Sequence, residues 1–223
     1  MNSVVSEKKF IQERLGIPYE NLSQSYLRAE TALSSLSTYN FYVQRGQVAN
    51  PLVTEQLLEL NDQFVITHFR VGLRQLGASP TATDQLNAPI YTFADPQIFS
   101  TGTAGNAASV YNGNLSFIID RKQFLPAFPM NAFYRVPTTQ TGAFLKTAGT
   151  TGTPSANFTG NIGVDGYDNG LFGFYVSEPT LIDGRQTLDI ALNLGAAVSI
   201  APSSGSVYAT LEFRGFLVVN SKS

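Results

Sequence analysis

Alternation of apolar and polar residues toward the C-terminus most limits how this chain can fold. In residues 186–194, every second position from Leu188 to Leu194 is leucine or isoleucine. Residues 207–219 alternate in the same way, with Glu212 and Arg214 on the polar side. Successive side chains of a strand point to opposite faces, so each of these strands buries one face only. One-sided burial is typical of antiparallel sheets.

Similar patterns predict further strands earlier in the chain. Residues 64–76 predict a long strand with apolar positions on one face (Val65, Phe69, Val71, Leu73) and basic positions on the other (His68, Arg70, Arg74). Shorter strands are predicted at 39–43, 90–93, 115–119 and 171–176. Two long stretches of low charge, 100–114 and 147–170, separate some of them. Seven or eight strands predict a β-sandwich or a closed barrel, and long connections favour Greek-key or jelly-roll wiring over a meander.

Residues 1–38 differ from the rest and predict a helical arm. Ser6 to Leu15 has a plausible N-cap and ends before Gly16. A second helix is predicted from Pro18 to about Ser37, because apolar residues recur there at helical spacing. We expect one face of this helix to pack on the body of the chain or on a neighbouring subunit. That face consists of Leu22, Tyr26, Ala29, Leu33 and Leu36. The expected division is therefore an arm at 1–38 and a β domain at 39–223.

The composition removes several classes of chemistry. The chain has 223 residues, no cysteine and one histidine, which excludes disulfides, thiol catalysis, zinc fingers and iron–sulfur clusters. No apolar run approaches the length of about 18 residues that a membrane span needs. The net charge is −2, so the chain as a whole is not a polycationic nucleic-acid binder. Only 13% of residues are charged, while Tyr (10) and Phe (16) are plentiful, which indicates surface buried against partners. An uncharged surface without a partner is the alternative.

Two groups of residues are candidate sites. Asp165, Asp168 and Asn169 form the densest oxygen cluster and could bind Ca²⁺, although the same residue types also simply form turns. The basic positions His68, Arg70 and Arg74 share a strand face and are the best candidates for nucleic-acid contact. Pairing of these arginines with carboxylates, or their exposure to solvent, is the favoured alternative. The motifs of serine hydrolases and of nucleotide-binding loops are absent, so we expect no catalytic residues and no cofactor.

Several segments give the chain a resemblance to a known family. These are Tyr39-Asn-Phe-Tyr-Val43, the segment from Leu60 to Thr67, the turn Glu178-Pro-Thr-Leu-Ile-Asp-Gly184, and the strands at 186–194 and 208–219. Together with the helical entry, they resemble bacteriophage virion proteins with a jelly-roll fold. The pattern spans about residues 39–219. It implies a mainly β chain with a single antiparallel jelly-roll β-sandwich, because the chain is short for a double one.

The resemblance also implies a function. It points to a capsid protein that is not an enzyme, resides in the virion, and assembles with itself as a trimer, pentamer, hexamer or shell and with other virion proteins. The N-terminal arm is charge-balanced, unlike the basic arms of coat proteins that condense a genome. A phage spike, fibre or decoration protein that binds a host glycan is the alternative, and a jelly-roll glycoside hydrolase or lyase is third.

Overall fold

The computed structural model describes residues 4–94, 99, 106–135, 174–200, 202 and 205–219. Eight strands are present in these residues: β1 (Leu22–Leu33), β2 (Thr38–Phe41), β3 (Gln63–Leu76), β4 (Asn114–Ile119), β5 (Lys122–Pro129), β6 (Phe174–Asp183), β7 (Leu188–Asn193) and β8 (Ser206–Val218). The helices are α1 (Val4–Leu15) and α2 (Ala82–Asn87), with 3-10 turns at Tyr19–Asn21, Arg45–Gln47, Ala108–Asn112 and Met130–Phe133. The expectation of a mainly β chain is confirmed.

The strands form two antiparallel sheets of four. The first sheet has the order β1-β8-β3-β6 and the second has the order β2-β7-β4-β5. The pairing is nested about the middle of the chain: β1 pairs with β8, β2 with β7, β3 with β6, and β4 with β5. Consecutive strands lie in different sheets except for β4 and β5. The main core draws on both sheets, and the rings of Phe117 (β4) and Phe213 (β8) lie 5.5 Å apart within it.

Alternation near the C-terminus predicted the buried faces correctly. Leu188, Ile190 and Leu192 of β7 are buried, while Asp189 and Asn193 are exposed. The apolar positions of β8 from Val207 to Phe213 also enter the main core. Residues 90–93 do not form the predicted strand; among them only Tyr91 makes a bridge, to Leu73 of β3. Backbone hydrogen bonds to a single residue are too few to extend a sheet.

A β-bulge in β3 corrects the predicted face of Val65. The register of β3 against both β6 and β8 shifts between Ile66 and His68. An inserted residue reverses the alternation, so Phe64 and Ile66 share the main core with Phe69. Val65 therefore lies on the opposite face of the sheet, where it is fully buried in a second cluster.

The predicted second helix is wrong, because residues 22–33 form strand β1. All twelve residues of β1 pair with β8. The alternating positions Leu27, Ala29 and Leu33 enter the main core, and two of them also satisfy the helical spacing. Pairing along a whole neighbouring strand overrides such a local pattern. The predicted boundary at residue 38 therefore does not separate an arm from the sandwich.

The first predicted helix is confirmed as α1, which ends where Gly16 adopts a positive φ of 68°. The helix lies against the outer face of the first sheet. Its one buried residue, Ile11, contacts the second cluster, which contains Leu22, Val65, Phe216 and Val218. This helix covers one end of that face with apolar contacts, and a cluster of charged residues lies elsewhere on the same face.

Candidate functional site

The outer face of the first sheet carries a cluster of ionised side chains, which we call the charged face: Arg28, Glu30, Arg70, Arg74 and Glu212. The pairing register of β8 with β1 and β3 determines which of these side chains are neighbours. Glu212 of β8 stands opposite Arg28 of β1 on one side and Arg70 of β3 on the other. Directly opposed side chains on one face of a sheet lie within reach of each other. The sheet therefore places one carboxylate between two guanidinium groups.

Glu212 is an ion-pair partner of both arginines. The Arg70 Nε donates to Glu212 Oε2 at 2.5 Å, and Arg70 Nη2 lies at the same distance from that oxygen. The Arg28 Nη1 lies 3.8 Å from Glu212 Oε1. Glu212 is 7% exposed, so these pairs are largely removed from water. A buried carboxylate needs such partners, because desolvation without them is costly.

The second ion pair of the charged face is more deeply buried. The Arg74 Nη1 donates to both carboxylate oxygens of Glu30, at 2.7 and 2.8 Å, and neither side chain is exposed to solvent. The Arg28 Nη2 lies 2.8 Å from Glu30 Oε1. Thr54 adds a hydroxyl group, which donates to Glu30 and accepts from Arg74. Glu30 thus holds two arginines, one from its own strand and one from β3.

Residues 52–58, which we call the edge strap, cover part of β1. The backbone N–H and C=O of Arg28 both bond to Gln56, at 2.8 and 3.0 Å. The Glu55 carboxylate accepts from the backbone N–H groups of Glu30 at 2.9 Å and Leu52 at 2.7 Å. The pKa of Glu55 is raised, with burial as the largest cause, although these two hydrogen bonds act to lower it. The strap closes the charged face along one side.

In the structure, two of the three positions of the predicted basic face contact carboxylates. Arg70 pairs with Glu212, and Arg74 is buried against Glu30. Carboxylate pairing is one of the two alternatives to nucleic-acid contact given by the sequence analysis. His68 is half-buried and shares a hydrogen bond of 2.9 Å between its Nδ1 and the hydroxyl of Thr67. Burial, and secondarily the charge of Arg214, lower the pKa of His68.

The lowered pKa of His68 can be measured directly, because it is the only histidine of the chain. We expect an NMR titration of its ring to give a midpoint below the usual value of about 6.5. Arg214→Gln raises that midpoint only in part, because burial is the larger cause. Lys122→Gln, at an exposed position of β5, leaves it unchanged. A midpoint at the usual value contradicts the prediction.

The sign of the pH dependence follows from this direction. The folded state disfavours the imidazolium, so the unfolded state takes up the proton first as the pH falls below about 6.5. The stability contributed by neutral His68 is present above that pH. It is lost as the pH falls through the pKa of the unfolded state toward that of the folded state.

The residues of the predicted arm interface do not share a face. Leu22 is buried beneath α1, and Leu33 is buried in the main core. Tyr26 and Leu36 are 49% and 55% exposed. A strand places residues that are four apart on one face, but those three or seven apart point to opposite faces. The helical prediction therefore grouped side chains that the sheet separates.

The predicted calcium ligands Asp165, Asp168 and Asn169 lie outside the described residues. In the described ranges, no three His, Asp or Glu side chains lie close enough together to hold a metal ion. None of the described helices is long and apolar enough to cross a membrane.

Sequence reasoning missed Arg28 and Glu30 of the charged face, and Thr54 and Glu55 of the edge strap that contacts it. Glu30 lay in the wrongly predicted helix, and Thr54 and Glu55 lie in the strap, whose position has no local signal. Of the carboxylates, only Glu212 was predicted to face outward, from the alternation of β8. No family model, no curated protein and no solved structure matches the chain. The charged face joins β1, β3, β8 and the edge strap, while Nε and Nη2 of both Arg28 and Arg74 are buried without a hydrogen-bond partner among the described residues.

Proposed function

We propose that the chain is a virion structural protein, a capsid protein with a single jelly-roll domain and no catalytic role. The observation that carries this proposal is the strand order, β1-β8-β3-β6 in one sheet and β2-β7-β4-β5 in the other. Nested pairing of eight antiparallel strands in two sheets is the wiring expected of a jelly roll, an architecture that viral capsid domains share with lectins and cupins. The fold alone does not choose among those functions.

The surface composition supports the structural role over the others. Charged residues are only 13% of the chain, and several of them pair with one another in the charged face, where they are largely buried. Large apolar side chains remain exposed on α1, α2 and several loops, including Val5, Leu36, Leu60 and Leu86. Weakly charged surface with exposed apolar residues is suited to burial against other subunits. Capsid subunits need such contacts on several sides at once.

The experiment that tests the proposal is the native mass and particle size of the purified chain. We expect light scattering and negative-stain imaging, across salt concentrations, to show shells or pentamers and hexamers that grow into larger objects. A monodisperse monomer at high protein concentration contradicts the proposal. A stable trimer that does not grow also contradicts it and favours a spike or decoration protein, for which binding to a glycan array is the next measurement.

A further inference from the structure

Strand β1 lies at the edge of the first sheet, and the described residues cover only part of that edge. Its inner side pairs with β8 along its whole length. On its outer side, the edge strap bonds to the backbone of Arg28 and Glu30. No hydrogen bond from the described part of the chain reaches the outer side of β1 between Ser23 and Leu27.

Alternation of the backbone identifies which groups of this open stretch point outward. Both backbone groups of Arg28 bond to the strap, so they point away from β8. The direction of the N–H and C=O groups repeats every second residue of an antiparallel strand. Gln24 and Tyr26 therefore direct their N–H and C=O groups outward as Arg28 does, and Ser25 between them directs its own toward β8.

The open stretch lacks the features that protect sheet edges from pairing. The sequence Ser23-Gln-Ser-Tyr-Leu27 contains no charge and no proline, and its register against β8 is unbroken. Edges in natural proteins are usually blunted by lysines, prolines, bulges or a covering segment. The contrast lies within one strand, since the strap covers Arg28 and Glu30 but not Gln24 and Tyr26.

We propose that this stretch of β1 pairs with the same stretch of a second copy of the chain, antiparallel and about a twofold axis at Ser25. This inference specifies one contact of the self-assembly proposed above. In this register Gln24 of each copy stands opposite Tyr26 of the other. Each such pair exchanges both of its outward backbone hydrogen bonds. The two four-stranded sheets join into one continuous sheet across the axis.

A second copy is a better occupant than an unrelated peptide, because the stretch is complementary to itself. The two residues with outward backbone groups are symmetric about Ser25, as a twofold interface requires. The side chain of Tyr26, 49% exposed on the outer face, lies in this register beside Gln24 of the other copy. Neither copy brings a charge to the paired segment, so no like charges oppose each other.

Cysteine cross-linking tests the register, because the chain has no cysteine of its own. Directly opposed residues place their Cβ atoms about 4.5–5.5 Å apart, so Ser25→Cys puts two thiols close to disulfide geometry. Ser23→Cys is the matched control, because it lies on the same strand and face but its thiols in the two copies are about 13 Å apart in this register. Under mild oxidation we expect Ser25→Cys to form covalent dimers at least about tenfold faster than Ser23→Cys, because proximity raises the effective thiol concentration.

A second pair of variants tests the hydrogen bonds. Gln24→Pro removes one outward N–H and leaves every bond to β8 in place, whereas Gln24→Ala keeps that N–H. We expect Gln24→Pro, and not Gln24→Ala, to weaken dimer formation in sedimentation measurements. Equal cross-linking of the two cysteine variants overturns the inference, as does dimerisation that Gln24→Pro leaves unchanged.

The outcomes separate this contact from the proposed function. Large assemblies whose Ser25→Cys variant does not cross-link overturn the edge pairing and leave the capsid role supported. A dimer that cross-links through Ser25→Cys and never grows supports the edge pairing and contradicts the capsid role. Occupation of the edge by another segment of the same copy blocks the cross-link and overturns the pairing.

Discussion

Glu30→Ala is expected to lower the free energy of unfolding by about 3–5 kcal/mol, because it leaves a buried guanidinium without its counter-ion. Arg74 has no solvent-exposed surface and bonds to both Glu30 oxygens. Thr54 loses its acceptor in the same variant. Urea denaturation measures the change. Glu59→Ala, at an exposed position directly after the edge strap, is the control, and its effect is within about 0.5 kcal/mol.

A double variant separates the ion pair from the space that it fills. Replacing one partner leaves a buried charge, whereas Glu30→Leu combined with Arg74→Met removes both charges and keeps most of the volume. We expect the double variant to regain most of the stability that Glu30→Ala loses. A loss below about 1 kcal/mol in Glu30→Ala, the size expected of an exposed pair, contradicts the description of this pair as buried.

The antiparallel sheets could be predicted because their signal is local. In β7 and most of β8, the alternation of apolar and polar residues in the sequence matches the alternation of buried and exposed side chains. Helix α1 ends at Gly16, a residue type that adopts a positive φ without strain, so its end could also be predicted. The outward direction of Arg70, Arg74 and Glu212 follows from the same alternation. These elements need no knowledge of their neighbours.

The errors came from features that only neighbouring strands decide. In β1, Ala29 and Leu33 fit both the spacing of a helix face and the alternation of a strand, and pairing with β8 determines the outcome. The partners of the charged face are also distant along the chain: Glu30 and Arg74 are separated by 44 residues, and Arg70 and Glu212 by 142. Composition can suggest that arginines meet carboxylates, but it cannot name the pairs.

The bulge in β3 is the clearest example of such a feature, and it depends on a glycine of the neighbouring strand. Gly215 of β8 faces the point where the register shifts. A Cβ atom there would overlap the carbonyl oxygen of Val65 and lie 2.9 Å from its carbonyl carbon. Since backbone cannot move aside as a flexible side chain can, the close approach of these two strands requires glycine.

Gly215→Ala is therefore expected to destabilise the protein by about 3 kcal/mol, the upper range for overpacking a closely packed site. Gly46→Ala is the matched control, because a Cβ there meets no atom within 4 Å, and its effect is within about 1 kcal/mol. Urea denaturation compares the two variants. If they are equally stable, β3 and β8 can separate at this point without cost.

The same substitution should also loosen α1. Val65 and Phe216 lie next to the overlap and belong to the cluster on which Ile11 packs. Moving β3 away from β8 disturbs that cluster, so we expect limited proteolysis to cut near Gly16 faster in Gly215→Ala than in Gly46→Ala. Faster cleavage there, together with the loss of stability, would tie the docking of the N-terminal helix to the bulge, because the bulge is what turns Val65 toward the helix.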